Sequence, residues 1–135
     1  MYALDTCVCI DFLRGKQPLV YELFKQTDPR LFVIPSIVQA ELLLGAEKSN
    51  HPLKMRQVVE EFLLSFQIAP FDSNCAYHYA RIRAKLESCG NLIGPNDLIV
   101  AATALSNHCT LVTNNVKEFK RVEGLSLESW AEIEF

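Results

Sequence analysis

The chain has 135 residues, a net charge of -3, half of its residues hydrophobic and a fifth charged. That composition excludes a disordered or membrane-spanning chain, and the length suits one domain, residues 1 to 135, burying its own core. A net negative charge also excludes general attraction to polyanions, so a nucleic-acid partner has to be drawn by local basic clusters or by metal ions.

No apolar run approaches the roughly 18 to 20 residues of a transmembrane helix, and Asp5 and Asp11 stand where an export signal would be basic and then apolar. No membrane association and a cytoplasmic location are expected. The five cysteines, Cys7, Cys9, Cys75, Cys89 and Cys109, are odd in number and contain no C-x-x-C. They read as reduced, mostly buried thiols rather than a disulfide framework or zinc knuckle.

In chain order, residues 2 to 5 form a short apolar segment closing on Asp5. Val8, Ile10, Phe12 and Leu13 then run helically to Gly15, with Thr6 as the expected cap. A second helix is predicted from Pro18 to Gln26, ended by Asp28-Pro29. Leu31 to Pro35 reads as a strand buried on both faces. Ser36 and Gln39 form a capping-box pattern opening a helix that carries Glu41 and runs to Lys48.

After Asn50-His51-Pro52, residues Met55 to Phe66 fit an amphipathic helix. Gln67 to Phe71 reads as a third strand. Asp72 or Ser73 caps a long helix ending at Gly90, with Cys75, Tyr79, Ile82 and Leu86 on its buried face. Gly94 and Pro95 start a helix from Pro95 to Ser106 that is apolar on almost every side beyond Asp97, hence central and buried. Thr110 to Thr113 is a fourth strand, and Leu125 to Trp130 a candidate edge strand. Strands alternating with helices predict an α/β sandwich with a mainly parallel sheet of four or five strands.

In such a sheet ligands bind beyond the carboxyl ends of the strands. Asp5, Glu41 and Asp97 are all predicted on that rim, with the turn from Asn115 to Glu118 beside them. Clustered carboxylates repel one another unless a cation neutralises them. Oxygen ligands without histidine or thiolate select Mg2+ or Mn2+, and such an ion takes further ligands from phosphates. The chemistry indicated is metal-assisted attack of water on a phosphodiester, with Thr6 and Thr113 orienting carboxylates or waters.

The segments L-D-T at 4 to 6, A-E-L-L-L-G-A-E-K-S at 40 to 49, I-G-P-N-D-L-I-V-A-A-T-A at 93 to 104 and L-V-T-N-N-V-K-E-F-K-R-V-E-G-L at 111 to 125 resemble the PIN-domain ribonucleases. Within that family, they resemble the VapC toxins of bacterial toxin-antitoxin pairs. The resemblance implies a PIN-like α/β/α sandwich and a Mg2+-dependent endoribonuclease, with Mn2+ as a substitute, whose metal is held by Asp5, Glu41 and Asp97. It also implies a VapB-type antitoxin partner, a homodimer and an RNA substrate, by family a tRNA and often the anticodon region of initiator tRNA.

Two positions depart from the family pattern. Cys7 stands where Asn or Ser is common, and Asn115 stands where many PIN domains carry a fourth acid, leaving Glu118 as the nearest carboxylate. Lys117, Lys120 and Arg121, and more remotely His78, Arg81 and Lys85, are candidates to steer RNA phosphates, against the competing reading of solvated surface charge. A phospho-acceptor receiver domain would need an Asp ending a central strand and a Lys ending a later one, which the pattern lacks. A catalytically weak PIN scaffold that binds RNA or protein is the alternative that Cys7 and Asn115 keep open.

Overall fold

In the computed structural model, residues 1–15, 22 and 25–130 are described. The strands are short; the inner three are apolar and largely buried, as a parallel sheet requires, while the two edge strands are partly exposed. β1 (Tyr2–Leu4), β2 (Phe32–Pro35), β3 (Gln67–Ala69), β4 (Thr110–Val112) and β5 (Leu127–Glu128) form one sheet in the order β3-β2-β1-β4-β5. Every pairing is parallel. All of β2 is buried, and Ala3, Leu4, Leu111 and Val112 are fully so.

Some strands are shorter than their sequence suggests, for local reasons. β3 stops at Ala69 rather than Phe71 because Pro70 has no N–H to continue the ladder. Leu31 is drawn into a 3-10 turn, Pro29–Leu31, whose cap Asp28 accepts from the Arg30 N–H at 2.9 Å. The edge strand spans only Leu127–Glu128 of the stretch expected over residues 125 to 130.

The helices whose full bounds fall among the described residues are α1 (Thr6–Arg14), α2 (Ser36–Glu47), α3 (Pro52–Leu63), α4 (Ser73–Ser88), α5 (Pro95–Ser106) and α6 (Val116–Phe119). Most of the helix expected from Pro18 to Gln26 lies outside the described residues. Two expected caps differ. Asp5, not Thr6, caps α1 by accepting from the Thr6 N–H at 2.8 Å, which places Thr6 inside the helix and frees its hydroxyl. Ser36 is the first residue of α2 and makes no cap bond; its hydroxyl instead accepts from the Phe71 N–H at 3.3 Å, tying α2 to the end of β3.

α5 is the central helix. It packs on β2, β4, α2 and α4, and Leu98, Val100, Ala101, Ala102 and Ala104 are at most 1% exposed. Burying a side chain such as Leu98 contributes about 1.5 to 3 kcal/mol, while the alanines allow close approach of neighbouring backbones. On α3 the stripe divides: Val59, Phe62 and Leu63 are buried, and Met55 and Val58 stay partly exposed. Asp72 caps α4 through the Cys75 N–H at 3.1 Å, and Gly90, at φ +65°, turns the chain after it in a conformation that suits glycine.

Among the described residues no helix is long and apolar enough to cross a membrane. All five cysteines are free thiols: Cys9, Cys75 and Cys109 are buried, Cys7 partly so, and Cys89 exposed.

Candidate active site

The strand order makes β1 the point where the chain changes direction. β2 and β3 build outward on one side of β1, and β4 and β5 on the other. The crevice at such a switch point, beyond the carboxyl ends of β1 and β4, is where open parallel sheets bind ligands. Asp5 follows β1 directly and Thr113 follows β4 directly. The sheet ladder continues through them, with the Asp5 N–H donating to Val112 O at 3.0 Å.

Both side chains are buried, Asp5 at 6% exposure and Thr113 at 0%, so their polar atoms need partners inside the protein. Thr113 Oγ1 donates to Asp5 Oδ2 at 2.7 Å and accepts the Asn115 N–H at 3.0 Å. The thiol of Cys7 donates to the same Oδ2 at 3.5 Å. Asp5 is thus fixed by the Thr6 N–H, a hydroxyl and a thiol.

The other acids come from three elements. Glu41 lies on α2, and its Oε1 accepts from the Thr6 hydroxyl at 2.9 Å, joining it to the turn that carries Asp5. Asp97 lies in the first turn of α5. Glu118, on α6, accepts the Gly94 N–H at 3.0 Å through Oε1 and a short hydrogen bond from Asn115 Nδ2 through Oε2. Asp97 and Glu118 both crowd Gly94: a Cβ there would lie 3.4 Å from Asp97 Oδ2 and 3.9 Å from Glu118 Oε1.

Electrostatics report the same convergence. Burial raises the Asp97 carboxyl to about 7, and the charges of Glu118, Asp5 and Glu41, with a hydrogen bond shared with Glu118, add to the effect. Glu118 is shifted below its ordinary value, first by the Gly94 N–H and then by Asn115 and Asp97, with the positive charge of Arg121 assisting. Below about pH 7 Asp97, rather than Glu118, therefore carries the proton. Cys7 is pushed up to about 11 by burial and by the charge of Asp5, so at neutral pH it is a thiol rather than a soft anionic ligand.

Only oxygen donors are therefore offered to a cation. Among the described residues no three His, Cys, Asp or Glu side chains are gathered tightly enough to enclose an ion. Each carboxylate has its own partner: Thr113 for Asp5, Thr6 for Glu41, Gly94 and Asn115 for Glu118. This donor set fits a hard cation that keeps much of its water and binds through carboxylates and a phosphate, not one needing a complete protein cage.

The sequence-predicted residues divide clearly. Asp5, Glu41, Asp97 and Glu118 come together, with Thr6 and Thr113 bracing them. Asn115 is present as a donor to Glu118 rather than as an acid. Lys117 and Lys120 are exposed on and just after α6, and Arg121 Nη1 donates to the Leu92 carbonyl at 3.3 Å. One contact escaped the sequence reading: Asp11 Oδ2 accepts from Asn114 Nδ2 at 2.8 Å, while the Asn114 N–H reaches Cys7 Sγ at 3.5 Å. The signal was there in the four-residue spacing of Cys7 and Asp11, which puts both on one face of α1.

Fold and site together define a parallel α/β domain with an acid cluster over its switch point, an arrangement suited to a nuclease. The PIN domain family matches residues 2–125. The ribonuclease VapC2 of Rickettsia felis is 39% identical over 96% of this chain and 98% of its own. A tRNA(fMet)-specific endonuclease VapC of Salmonella typhimurium is 37% identical over 96% and 97%. The solved structure of Rickettsia felis VapBC2 bound to a promoter DNA fragment contains a chain that superposes with a TM-score of 0.90 at 36% identity, covering 96% of this chain and 98% of that one. The chain belongs to the VapC ribonucleases of the PIN-domain family.

Proposed function

We propose that this chain is a Mg2+-dependent endoribonuclease toxin that hydrolyses a tRNA phosphodiester, in the anticodon region of initiator tRNA, and is silenced by a VapB-type antitoxin. The observation that carries the reading is the convergence of Asp5, Glu41, Asp97 and Glu118 over the switch point, with Asp97 raised to about 7. A carboxyl so placed is one that a bound cation would relieve of its proton.

Asp5, Glu41 and Asp97 are the residues to hold Mg2+, or Mn2+ in its place. When bound, the ion lowers the pKa of a water nucleophile and offsets charge developing on the phosphoryl oxygens. The chain's own groups set the stage for this. Thr113 and the Thr6 N–H fix the rotamer of Asp5, the Thr6 hydroxyl aims Glu41, and Gly94 and Asn115 hold Glu118 beside Asp97. Glu118 takes the place in the cluster that Asn115 leaves without a carboxylate.

The name of the Salmonella relative supports initiator tRNA as substrate. The Rickettsia felis assembly supports a VapB-type partner. A homodimer acting in the cytoplasm belongs to the same reading.

The test is expression of the chain in cells with and without its antitoxin, followed by sequencing of RNA 5′ ends. New ends at one position in the initiator tRNA anticodon loop, absent when the antitoxin is co-expressed, are expected. A folded, accumulating protein that creates no new RNA ends would overturn the reading.

A further inference from the structure

Outside the acid cluster, cations from two distant parts of the chain converge. Arg81 and Lys85, one turn apart on α4, line a cleft of about 210 Å3 together with Arg121, which follows α6; Leu86 and Val122 contribute its apolar lining. Glu123 lines the cleft too, but it pairs with Lys85. Arg81 has no carboxylate partner among the described residues. Among the described residues Arg121 forms no salt bridge and donates to the neutral Leu92 carbonyl, so both guanidinium groups keep donors free for an anion.

The cleft adjoins the acid cluster through the backbone. Leu92, which Arg121 grips, lies two residues before Gly94, whose N–H holds Glu118. The positive field of Arg121 also reaches Glu118. A volume of 210 Å3 is below the roughly 300 to 1,000 Å3 of cofactor and drug pockets. Guanidinium forks suit phosphate oxygens, which they can bind bidentately.

The geometry points to a phosphate-binding notch for the RNA backbone, in which Arg81 and Arg121, with Lys85, hold a phosphate other than the scissile one. The notch, which rests on the RNA-cleaving function proposed above, has two effects. It offsets the repulsion between an acidic centre and an incoming polyanion, and it sets the strand's register along the line from Arg121 through Leu92 to Gly94. Arg81 and Arg121 are positioning residues here, because they act on a phosphate that does not react.

The test uses the full chain carrying Asp97→Asn, so that RNA is bound without being cut. Fluorescently labelled bulk tRNA is titrated in Mg2+ over a series of KCl concentrations. Each phosphate contact contributes roughly 0.7 to 0.9 to the slope of log affinity against log salt. Adding Arg81→Ala is expected to raise Kd about three- to tenfold and to lower the slope by about that one contact, while Arg81→Lys keeps the slope. Unchanged Kd and slope in Arg81→Ala and in the Arg81→Ala, Arg121→Ala double variant would overturn the notch while tRNA cleavage by the Asp97 protein left the nuclease standing. No tRNA binding by the Asp97→Asn parent, with no cleavage by the Asp97 protein, would overturn both.

Discussion

Thr113, just past β4, donates its hydroxyl hydrogen to Asp5 Oδ2 at 2.7 Å across the gap between two parallel strands. The bond closes the switch point of the sheet and fixes the most buried acid of the site. Thr113→Val keeps the shape and removes the donor, leaving Oδ2 with only the weak thiol of Cys7 at 3.5 Å. A loss of about 1 to 3 kcal/mol in unfolding free energy is expected, along with a roughly 10- to 100-fold higher Mg2+ concentration for half-maximal cleavage. Thr113→Ser, which keeps the hydroxyl, should restore most of both. Urea unfolding and a Mg2+ titration of RNA cleavage measure the two effects, and a fully active, fully stable valine variant would dismiss the bond as incidental.

A pH dependence follows from Asp97. Its carboxyl is raised to about 7 in the folded protein, against about 3.9 in an unfolded chain. Between those values the folded state keeps a proton that the unfolded state has lost, so stability falls as pH rises through this window. Glu118 is lowered, so above about pH 5.5 it is ionised in both states and adds no slope; below that its own effect has the opposite sign. The metal-free protein should therefore lose Tm from about pH 5 to about pH 8. Asp97→Asn should flatten that decline, and so should saturating Mg2+ at the alkaline end. Calorimetric scans at several pH values decide it; an identical slope in wild type and Asp97→Asn would show that Asp97 does not carry the effect.

Glu118 and Asn115 can be exchanged as a pair. Glu118→Gln removes the carboxylate that Gly94 and Asn115 hold beside Asp97. Cleavage at limiting Mg2+ should fall roughly 10-fold or more. Asn115→Asp places a second carboxylate against Glu118 in place of a donor and should also impair the enzyme. The double variant Asn115→Asp, Glu118→Gln restores one acid and one amide, and should recover activity relative to either single change. Wild-type kinetics in Glu118→Gln would remove Glu118 from the site.

Much of this arrangement is legible in the sequence, because the signals are local. The helix from Pro95 to Ser106 has its start in Gly94-Pro95 and its burial in an uninterrupted apolar face, and it forms with those bounds. Asp5 and Glu41 were legible as rim residues because each follows a buried strand within one or two helical turns. What was not legible depends on contacts across the fold. Thr6 looks like a cap in sequence, yet a residue 35 positions away, Glu41, claims its hydroxyl. Ser36 likewise looks like a cap until Phe71 is placed beside it. The role of Glu118 depends on Gly94, 24 residues earlier, and no periodicity records that distance.

The thiols offer a check that does not depend on RNA. Cys7 is pushed up to about 11, and Cys9 lies fully buried with its thiol raised well above the ordinary range, so neither supplies thiolate near neutral pH. Cys75 and Cys109 are buried, and Cys89 alone is exposed. Brief iodoacetamide treatment of the folded protein, followed by peptide mass spectrometry, should modify Cys89 first and leave Cys7 largely unlabelled until denaturant is added. Rapid labelling of Cys7 would contradict its place against Asp5 and Thr113.

The most direct measurement is cleavage of purified initiator tRNA by the antitoxin-free protein, compared in Mg2+, in EDTA and with Asp97→Asn. A discrete cut that appears in Mg2+ and is lost in both other conditions is the predicted result. A cut that survives EDTA and the substitution, or a folded protein that leaves the tRNA intact in both Mg2+ and Mn2+, would contradict the assignment of Asp5, Glu41, Asp97 and Glu118 as a metal-dependent ribonuclease centre.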